Sequence, residues 1–532
     1  MQRADPHSAT IDSDAATTIA IGRHDAGHIV EGVRREWLVT NGYGDYGIGT
    51  TNLLATRRYH GLLVAACDAP VGRRMLVPFI DETVRSGGAR INLGSRRWAD
   101  GSVDPDGHRA VAGFALEDGI PTWRFELEGA RLEKRIVMLR DARGVAVVWT
   151  LADGGAPIAL DAAVFVEHRS HHRLDPEASW SACVHSESED GARAQIELPA
   201  NAHAPTPTVL HVAGQGAALS PACVWWRRHA LAEEAARGYD AIGSALHALT
   251  ASFVIAPGQS VALCISLAPL DGANGGSVDG AAIIAAERAR ARRLVAGAGL
   301  SRAPAALRSL ALAADGFVVK RARRDGGEGR SIIAGYPWFE DWGRDAMLSL
   351  RGLCLATGRA DDAKLVLETF ADRLRDGLLP NRFPDLSGVP EYHSADAPLL
   401  FLRACCDTYR ATRDDAWIAR LWPRMRAVVA AYARGTMHGI GVDSDGLVRA
   451  GEAGLQLTWM DAKIGDTVVT PRIGKPVELS ALWIDALRSM CEIAPDDTAD
   501  LVELAAQAER SFARYWNPAT QCLIDVLDAP AP

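Results

Sequence analysis

The chain has 532 residues, which is long enough for two or three domains. Its hydrophobic fraction of 48% and charged fraction of 23% are those of an ordinary globular protein. The net charge of −9 argues against nucleic acid or an anionic membrane as a partner, and no run of about 18 apolar residues predicts a membrane span.

The first 24 residues contain several aspartates and no long apolar run, so the sequence predicts a disordered tail there and no signal peptide. The nine cysteines show neither metal nor disulfide spacing, and Cys405 and Cys406 are neighbours inside an apolar helical pattern. Buried, reduced thiols are typical of a reducing compartment. We therefore expect a cytoplasmic protein.

Residues 25–275 predict an N-terminal antiparallel β-sandwich. Short runs rich in β-branched and aromatic residues, such as REWLVTN and GVAVVWTLA, are separated by Gly, Asp and Pro turns at hairpin spacing. Few stretches with helical periodicity interrupt them, which favours packed antiparallel sheets.

Residues 276–304 predict a linker helix, and the pattern over residues 305–532 is helical. About seven helices are joined by long loops at 377–393 and 438–477, and long loops between packed helices commonly carry function. This pattern favours a helical toroid whose loops form a cleft at one end. Because six helical hairpins make twelve helices, about seven predict either a smaller toroid or an (α/α)6 toroid that is incomplete at its C-terminal end.

Two segments combine aromatic rings with carboxylates in a way that suits a sugar. The first is YPWFEDWGRD at residues 336–345, and the second is LTWMDA at residues 457–462. Rings can cover the C–H faces of a pyranose, while carboxylates and a guanidinium bind its hydroxyls. Two such loops on a helical scaffold predict a glycosidase cleft.

Several long motifs resemble the glycogen debranching enzyme family in its bacterial and archaeal two-domain form. The N-terminal motif is REWLVTNGYGDYGIGTTNLLATRRYHGLLVA at residues 35–65, followed by Asp81 and Glu82. The helical half contains GYPWFEDWGRDAMLSLRGLCLATGR, GLLPNRFPD, PEYHSADAPL and LTWMDAKIGDTVVTPRIGKPVELSALW. The resemblance implies a β-sandwich followed by an (α/α)6 barrel similar to that of the glucoamylase superfamily, with inverting chemistry.

The resemblance also implies roles for individual residues. Asp461 corresponds to the general acid, and Arg344 with Asp345 resembles the pair that binds the O4 and O6 hydroxyls of the terminal glucose. The closing helices of the family supply a carboxylate as general base. We expect that region to be absent here, so the sequence leaves the identity of the base open.

The residues themselves favour Asp461 as the acid, because Trp459 and the apolar residues beside it predict surroundings that retain a proton. A helix N-cap is the alternative role for Asp461. Asp341 stands four residues before Asp345, so on one helix the two share a face. Asp341 is then either a second sugar ligand or a structural partner of Arg344.

The candidate substrate-binding residues lie on these loops and at helix starts. They are Trp338, Asp341, Trp342, Arg344, Asp345, Glu391, Asp396, Trp459 and Lys463. Core packing is an equal alternative for Trp338 and Trp342, and ordinary solvation is the alternative for Lys463. Capping of the first helical turn is the alternative for Arg344 and Asp345.

Three other features are expected to carry no chemistry. The GYGDYG segment at 42–47 matches a dinucleotide motif, but a strand follows it where a helix is needed. The histidines between 168 and 172 lack metal-ligand spacing, so we expect neither a metal nor a cofactor. For the polar block RRYH at 57–60, with Asn41, the family resemblance stated above implies packing against the helical domain, and a loop that reaches the cleft is the alternative.

The resemblance implies an exo-acting enzyme that removes α-1,6-linked glucose from branch stubs of glycogen or limit dextrin with inversion. A glucoamylase-like or trehalase-like enzyme of the same fold is one alternative. A glucan-binding chain without turnover is the other, because the base region is missing. The expected partner is an α-glucan, with no nucleic acid and no membrane. The transferase step of debranching needs a TIM-barrel module that this sequence does not predict, so we expect a partner enzyme.

Overall fold

The computed structural model describes residues 17–186, 192–270, 278–383, 389–494 and 497–530. The chain divides into two compact units, Met1–Gly316 and Phe317–Pro532. The first unit is built mainly from antiparallel β-sheets and the second mainly from α-helices. The predicted order, a β-rich region followed by a helical region, is therefore confirmed.

The described residues contain ten α-helices, and the six in the second unit share one apolar core. The helices are α1 (Arg23–Ala26), α2 (Ala232–Ala236), α3 (Gly280–Gly297), α4 (Ala305–Asp315), α5 (Gly343–Leu350), α6 (Ala360–Ala371), α7 (Ala397–Thr412), α8 (Asp415–Arg434), α9 (Val477–Ile493) and α10 (Ala499–Phe512). The seven helices predicted after residue 305 correspond to α4–α10, and α4 lies in the first unit. The core of the second unit includes Phe401, Trp417 and Trp483. The (α/α)6 toroid, incomplete at its C-terminal end, stays a prediction.

Three large antiparallel sheets form the first unit. In spatial order, the nine-stranded sheet has Thr18–Gly22, Val111–Glu117, Ile120–Leu127, Ala130–Leu139, Gly144–Gly154, Ser260–Ser266, Thr208–Gly214, Arg193–Leu198 and Cys183–Ser186. One five-stranded sheet has Ala218–Ala230, Ile242–Ile255, Ile158–Val166, Ile80–Ser86 and Ala89–Asn92. The other has Arg169–Ser170, Val71–Val77, Gly61–Asp68, Tyr46–Thr50 and Glu36–Thr40. One buried apolar cluster takes Trp123, Leu160 and Leu63 from these three sheets, which gives the unit a layered core.

The strand Gly144–Gly154 has a continuous apolar run because both of its faces are buried. Val147 belongs to the main core between the sheets. Val148, on the opposite face, belongs to a second buried cluster with Ile283 of α3. The helix α3 therefore covers the outer face of the sheet, which explains why this strand does not alternate between apolar and polar residues.

The predicted disordered tail is wrong for the segment that forms the edge strand. Thr18–Gly22 pairs antiparallel with Val111–Glu117, with Ile19 opposite Leu116. The segment TIAIG contains three β-branched residues, and the neighbouring strand offers it a row of backbone partners. Residues 1–16, which make up most of that prediction, lie outside the described residues.

Candidate active site

Backbone hydrogen bonds join the loops that carry the polar residues of the second unit. Gly343 N–H, at the start of α5, donates to Asn381 O at 2.7 Å. Asn381 N–H donates to Glu391 O at 2.6 Å, and Ala395 N–H donates to Leu457 O at 2.8 Å. The start of α5, the start of α7 and the loop that carries Leu457 and Asp461 therefore lie side by side.

A close backbone contact fixes where α5 begins. A Cβ atom placed on Gly343 would lie 2.1 Å from Pro380 O, which is far too close for a side chain. Glycine at this position lets the first turn of α5 approach the neighbouring loop. The residues that follow Gly343 are thereby held against that loop.

Arg344 links two carboxylates from distant parts of the chain. Its Nε donates to Asp396 Oδ2 at 2.6 Å, and its Nη1 donates to Asp461 Oδ2 at 2.9 Å, across 117 residues of sequence. Ser394 Oγ donates to the second oxygen of Asp396 at 2.6 Å. The side chains of Arg344 and Asp396 are 9% and 4% exposed, whereas that of Asp461 is 41% exposed. The structure thus gives Arg344 one buried and one accessible carboxylate.

Asp396 stands at the N-cap position of α7, but its side chain makes no capping hydrogen bond. An aspartate at that position ordinarily accepts from the backbone of the first turn. Here both carboxylate oxygens are used by Arg344 and Ser394. The Asp396 carboxylate therefore positions Arg344 and does not cap the N-terminus of α7.

Asp345 lies in the first turn of α5, next to this bridge. Burial raises the pKa of Asp345, Arg344 opposes the rise, and the charges of Asp461 and Asp396 add to it. Burial lowers the pKa of Arg344, but Asp396 and Asp461 outweigh it, so the pKa is raised and the guanidinium stays charged. These four residues, the Arg344 cluster, combine one cation with three carboxyl groups, and the raised pKa of Asp345 favours its protonated form.

Asp461 does not have the apolar surroundings that its sequence neighbours predict. Trp459 is 57% exposed, and the Asp461 carboxylate is paired with Arg344. This part of the prediction is wrong, because a residue far away in sequence determines the environment of the carboxylate. Arg344 Nη1 occupies Oδ2 of Asp461, so this oxygen can act on a ligand only after the pair with Arg344 is broken.

Asp341 is a structural residue and not part of the Arg344 cluster. Its side chain is fully buried, accepts from Arg321 at 2.6 and 2.8 Å, and accepts from Ser331 at 2.6 Å. The prediction that Asp341 and Asp345 share a helix face is wrong, because α5 begins only at Gly343. The predicted partner Arg344 is replaced by Arg321.

Glu391 and Trp342 meet at Arg382. Arg382 makes two hydrogen bonds with Glu391, at 2.8 and 3.0 Å, and its guanidinium carbon lies 5.6 Å from the centre of the Trp342 ring. The hydrogen bonds from Arg382 lower the pKa of Glu391, although partial burial opposes them. Glu391 is therefore an ionised acceptor at the edge of the site, and Trp342 is half-buried against Arg382.

Large rings are exposed on the loops that carry the cluster. Trp338 is 37% exposed, Phe339 is 49% exposed and Trp459 is 57% exposed. Core packing is therefore not the role of Trp338 or Trp459, and both side chains have surface exposed to solvent. Lys463 is exposed and donates to Gly454 O at 3.2 Å, which positions it within its own loop.

The sequence reasoning did not single out His393 or Ser394. His393 Nε2 lies 3.6 Å from Glu391, and burial lowers its pKa while Glu391 opposes that change. Ser394 fixes Asp396, as described above. The signal was present in the HSAD segment, because a serine two residues before a buried aspartate at a helix start can reach its carboxylate.

The polar residues singled out in the N-terminal half make contacts within the first unit. Asn41 donates to Asp45 at 2.8 Å, and His60 Nε2 lies 3.1 Å from Glu36. Within the parts of the chain that the structure covers, no group of three or more His, Cys, Asp and Glu residues could hold a metal ion. None of the described helices is both long and apolar enough to span a membrane.

Two family models match the chain. One, described as amylo-alpha-1,6-glucosidase, matches residues 312–532. The other, described as glycogen debranching enzyme N terminal, matches residues 35–262. The glycogen debranching enzyme of Saccharomyces cerevisiae is 30% identical over 223 residues, which cover 31% of this chain and 14% of the yeast protein. This chain therefore spans only a small part of the length of that relative.

Two solved structures are similar at low identity. A bacterial glucoamylase complexed with acarbose has a TM-score of 0.44 and 11% identity, covering 91% of this chain and 65% of its own. A kojibiose phosphorylase from the human microbiome has a TM-score of 0.45 and 7% identity, covering 96% of this chain and 71% of its own.

Proposed function

Because this chain belongs to the glycogen debranching enzyme family, we propose that it is an inverting exo-glycosidase that hydrolyses α-1,6-linked glucose at branch stubs of glycogen or a related α-glucan. The observation that carries the proposal is the Arg344 cluster, in which the buried Arg344 pairs with Asp396 and Asp461, next to Asp345 and on loops that carry exposed rings. The catalytic residues belong to the region 305–532.

The cluster can recognise the hydroxyls of a terminal glucose. A sugar hydroxyl both donates and accepts, so it can accept from Arg344 and donate to Asp345. Asp396 is almost completely buried, and it holds the guanidinium in one orientation. The exposed rings of Trp338 and Trp459 offer flat apolar surfaces for the C–H faces of the sugar.

Asp461 is the proposed general acid, and its pair with Arg344 suggests how substrate binding prepares it. Without substrate, one oxygen of the Asp461 carboxylate is paired with Arg344 Nη1 at 2.9 Å. A sugar hydroxyl that accepts from Arg344 Nη1 weakens this pair, and the bound sugar shields Asp461 from water. Both changes favour uptake of a proton, which Asp461 then donates to the glycosidic oxygen. Inversion further requires a carboxylate that holds water about 6.5–9.5 Å away.

Two measurements test the proposal: which substrates release glucose, and which anomer of glucose is released first. Purified full-length protein is incubated with isomaltose, panose, maltose and trehalose, and the first product is followed by proton NMR. We expect glucose from the α-1,6-linked substrates, initially as the β-anomer. Release of the α-anomer refutes inversion. Faster cleavage of maltose or trehalose refutes the linkage and supports a glucoamylase-like or trehalase-like enzyme.

A further inference from the structure

The first unit contains a cavity whose wall includes no residue of the Arg344 cluster. Its volume is about 60 Å³, and it is half open to solvent. The residues of its wall that matter here are Trp37, Phe79, Asp81, Glu82, Arg96 and Lys134. All of them lie in the first unit. We call this space the Glu82 cavity.

Two ion pairs line the Glu82 cavity. Lys134 Nζ lies 2.5 Å from Glu82 Oε1, and Arg96 Nη2 lies 2.7 Å from Asp81 Oδ1. Glu82 is 1% exposed, Lys134 is 3% exposed and Arg96 is 4% exposed. Two cations therefore stand beside two carboxyl groups, and these side chains of the wall have little surface exposed to solvent. A wall with equal numbers of basic and acidic side chains does not favour a strongly charged ligand.

Several buried polar atoms of the cavity have no hydrogen-bond partner among the described residues. They are Glu82 Oε2, Asp81 Oδ2 and Arg96 Nε. Buried polar groups are nearly always satisfied by protein or by bound molecules, because leaving them unpaired is unfavourable. These atoms belong to residues of the cavity wall, and each has almost no exposed surface. An occupant would therefore reach two acceptors and one donor only when these side chains turn toward the cavity.

Glu234 shows what a purely structural buried carboxylate looks like in the same unit. It is also 1% exposed and is also paired with a cation, Arg58. Its two oxygens each accept a hydrogen bond from Arg58, one from the backbone N–H at 3.1 Å and one from Nε at 3.0 Å. Glu82, by contrast, keeps an oxygen unused at the wall of a cavity.

We propose that the Glu82 cavity binds the hydroxyl-bearing end of one glucose unit, as a second sugar site outside the catalytic cluster. Hydroxyl groups match the unpaired atoms, because each can donate to Glu82 or Asp81 and accept from Arg96. The rings of Trp37 and Phe79 at the wall provide apolar surface. A volume of about 60 Å³ accommodates a few hydroxyl-sized groups and not several sugar rings. The choice of glucose over another neutral polyol rests on the proposed function.

The test counts sugar sites in the full chain. Methyl α-D-glucopyranoside is titrated by calorimetry and by saturation-transfer NMR into wild type and into Arg344→Ala, which disables the catalytic cluster. We expect Arg344→Ala to retain one binding event. Adding Glu82→Gln to that background should weaken this binding at least tenfold, whereas adding the matched change Glu234→Gln should change it less than twofold.

A second pair of variants covers the case in which Glu82→Gln does not fold. A Cβ on Gly94 would lie 2.2 Å from Asp81 Oδ1, so Gly94→Ala displaces Asp81 without removing a charge. Gly155→Ala is its control, because a Cβ on Gly155 meets no atom within 4 Å. In the Arg344→Ala background we expect Gly94→Ala to weaken sugar binding at least fivefold, and Gly155→Ala to leave it unchanged.

The proposal is overturned if Arg344→Ala binds no sugar, which would mean that water alone fills the cavity. It is also overturned if the Glu82 and Glu234 variants bind equally, or if sorbitol binds as tightly as the glucoside. Failure of the catalytic proposal is read separately from wild-type turnover of isomaltose. Glu82→Gln on its own should leave kcat for isomaltose unchanged.

Discussion

Asp396 and Asp341 are two buried aspartates of the second unit that pair with arginines, and substituting each by asparagine should have opposite consequences. Asp396→Asn removes the charge that orients Arg344 from 2.6 Å, but Arg344 keeps Asp461 as a partner. Loss of one hydrogen bond to a charged group is worth about 1.5–3 kcal/mol. At 1.36 kcal/mol per decade, kcat/KM for isomaltose should fall roughly 10- to 150-fold.

Asp341→Asn should instead act on stability. It leaves Arg321 without the carboxylate that accepts two of its hydrogen bonds, and breaking a buried pair costs about 3–5 kcal/mol. Urea unfolding and steady-state kinetics on both variants measure the two effects. Activity per folded molecule should survive in Asp341→Asn and not in Asp396→Asn. Equal losses of kcat/KM in the two variants would refute the assignment of Arg344 to sugar binding.

Three further changes address the site. Burial raises the pKa of Asp345 above its ordinary 3.8, so the native state retains this proton at a higher pH than the unfolded state does. The free energy of unfolding of wild type should therefore fall, relative to that of Asp345→Asn, as the pH rises from 3.8 through the raised pKa. Urea unfolding measures this difference. Trp459→Ala should raise KM about 2- to 12-fold, because a ring contact contributes about 0.5–1.5 kcal/mol to binding, and it should leave the melting temperature unchanged. Trp516 is comparably exposed, and Trp516→Ala should change neither KM nor the melting temperature. Gly343→Ala should lower both the melting temperature and kcat/KM, because its Cβ would lie 2.1 Å from Pro380 O.

The sequence predicted the order of the two halves and the positions of the seven C-terminal helices, because strand alternation and helical periodicity are local patterns. It also selected Arg344, Asp396 and Asp461, which the structure brings together. Short loops that are rich in both aromatic rings and carboxylates are seldom part of a core, so the composition of these loops alone indicated a binding site. The edge strand Thr18–Gly22 was missed because a five-residue strand depends on the sheet edge that receives it.

The prediction failed where a contact depends on distant residues. The four-residue spacing of Asp341 and Asp345 indicated a shared helix face, but the helix begins between them, at Gly343. The neighbours of Asp461 indicated an apolar site, but Arg344 determines its surroundings. Neither Arg321 beside Asp341 nor Glu82 beside an open cavity could be read from local sequence, because both arise from tertiary packing.

Turnover by Asp461→Asn tests the proposed chemistry most directly. General acid catalysis contributes about 10²–10⁴ in rate, so kcat for panose should fall by about that factor. Binding of methyl α-D-glucopyranoside should stay within about threefold, because asparagine still accepts from Arg344. Asp466→Asn, an exposed change in the same loop, should keep wild-type kcat. A kcat for Asp461→Asn within twofold of wild type, or an equal loss in Asp466→Asn, would contradict the assignment of Asp461 as the acid.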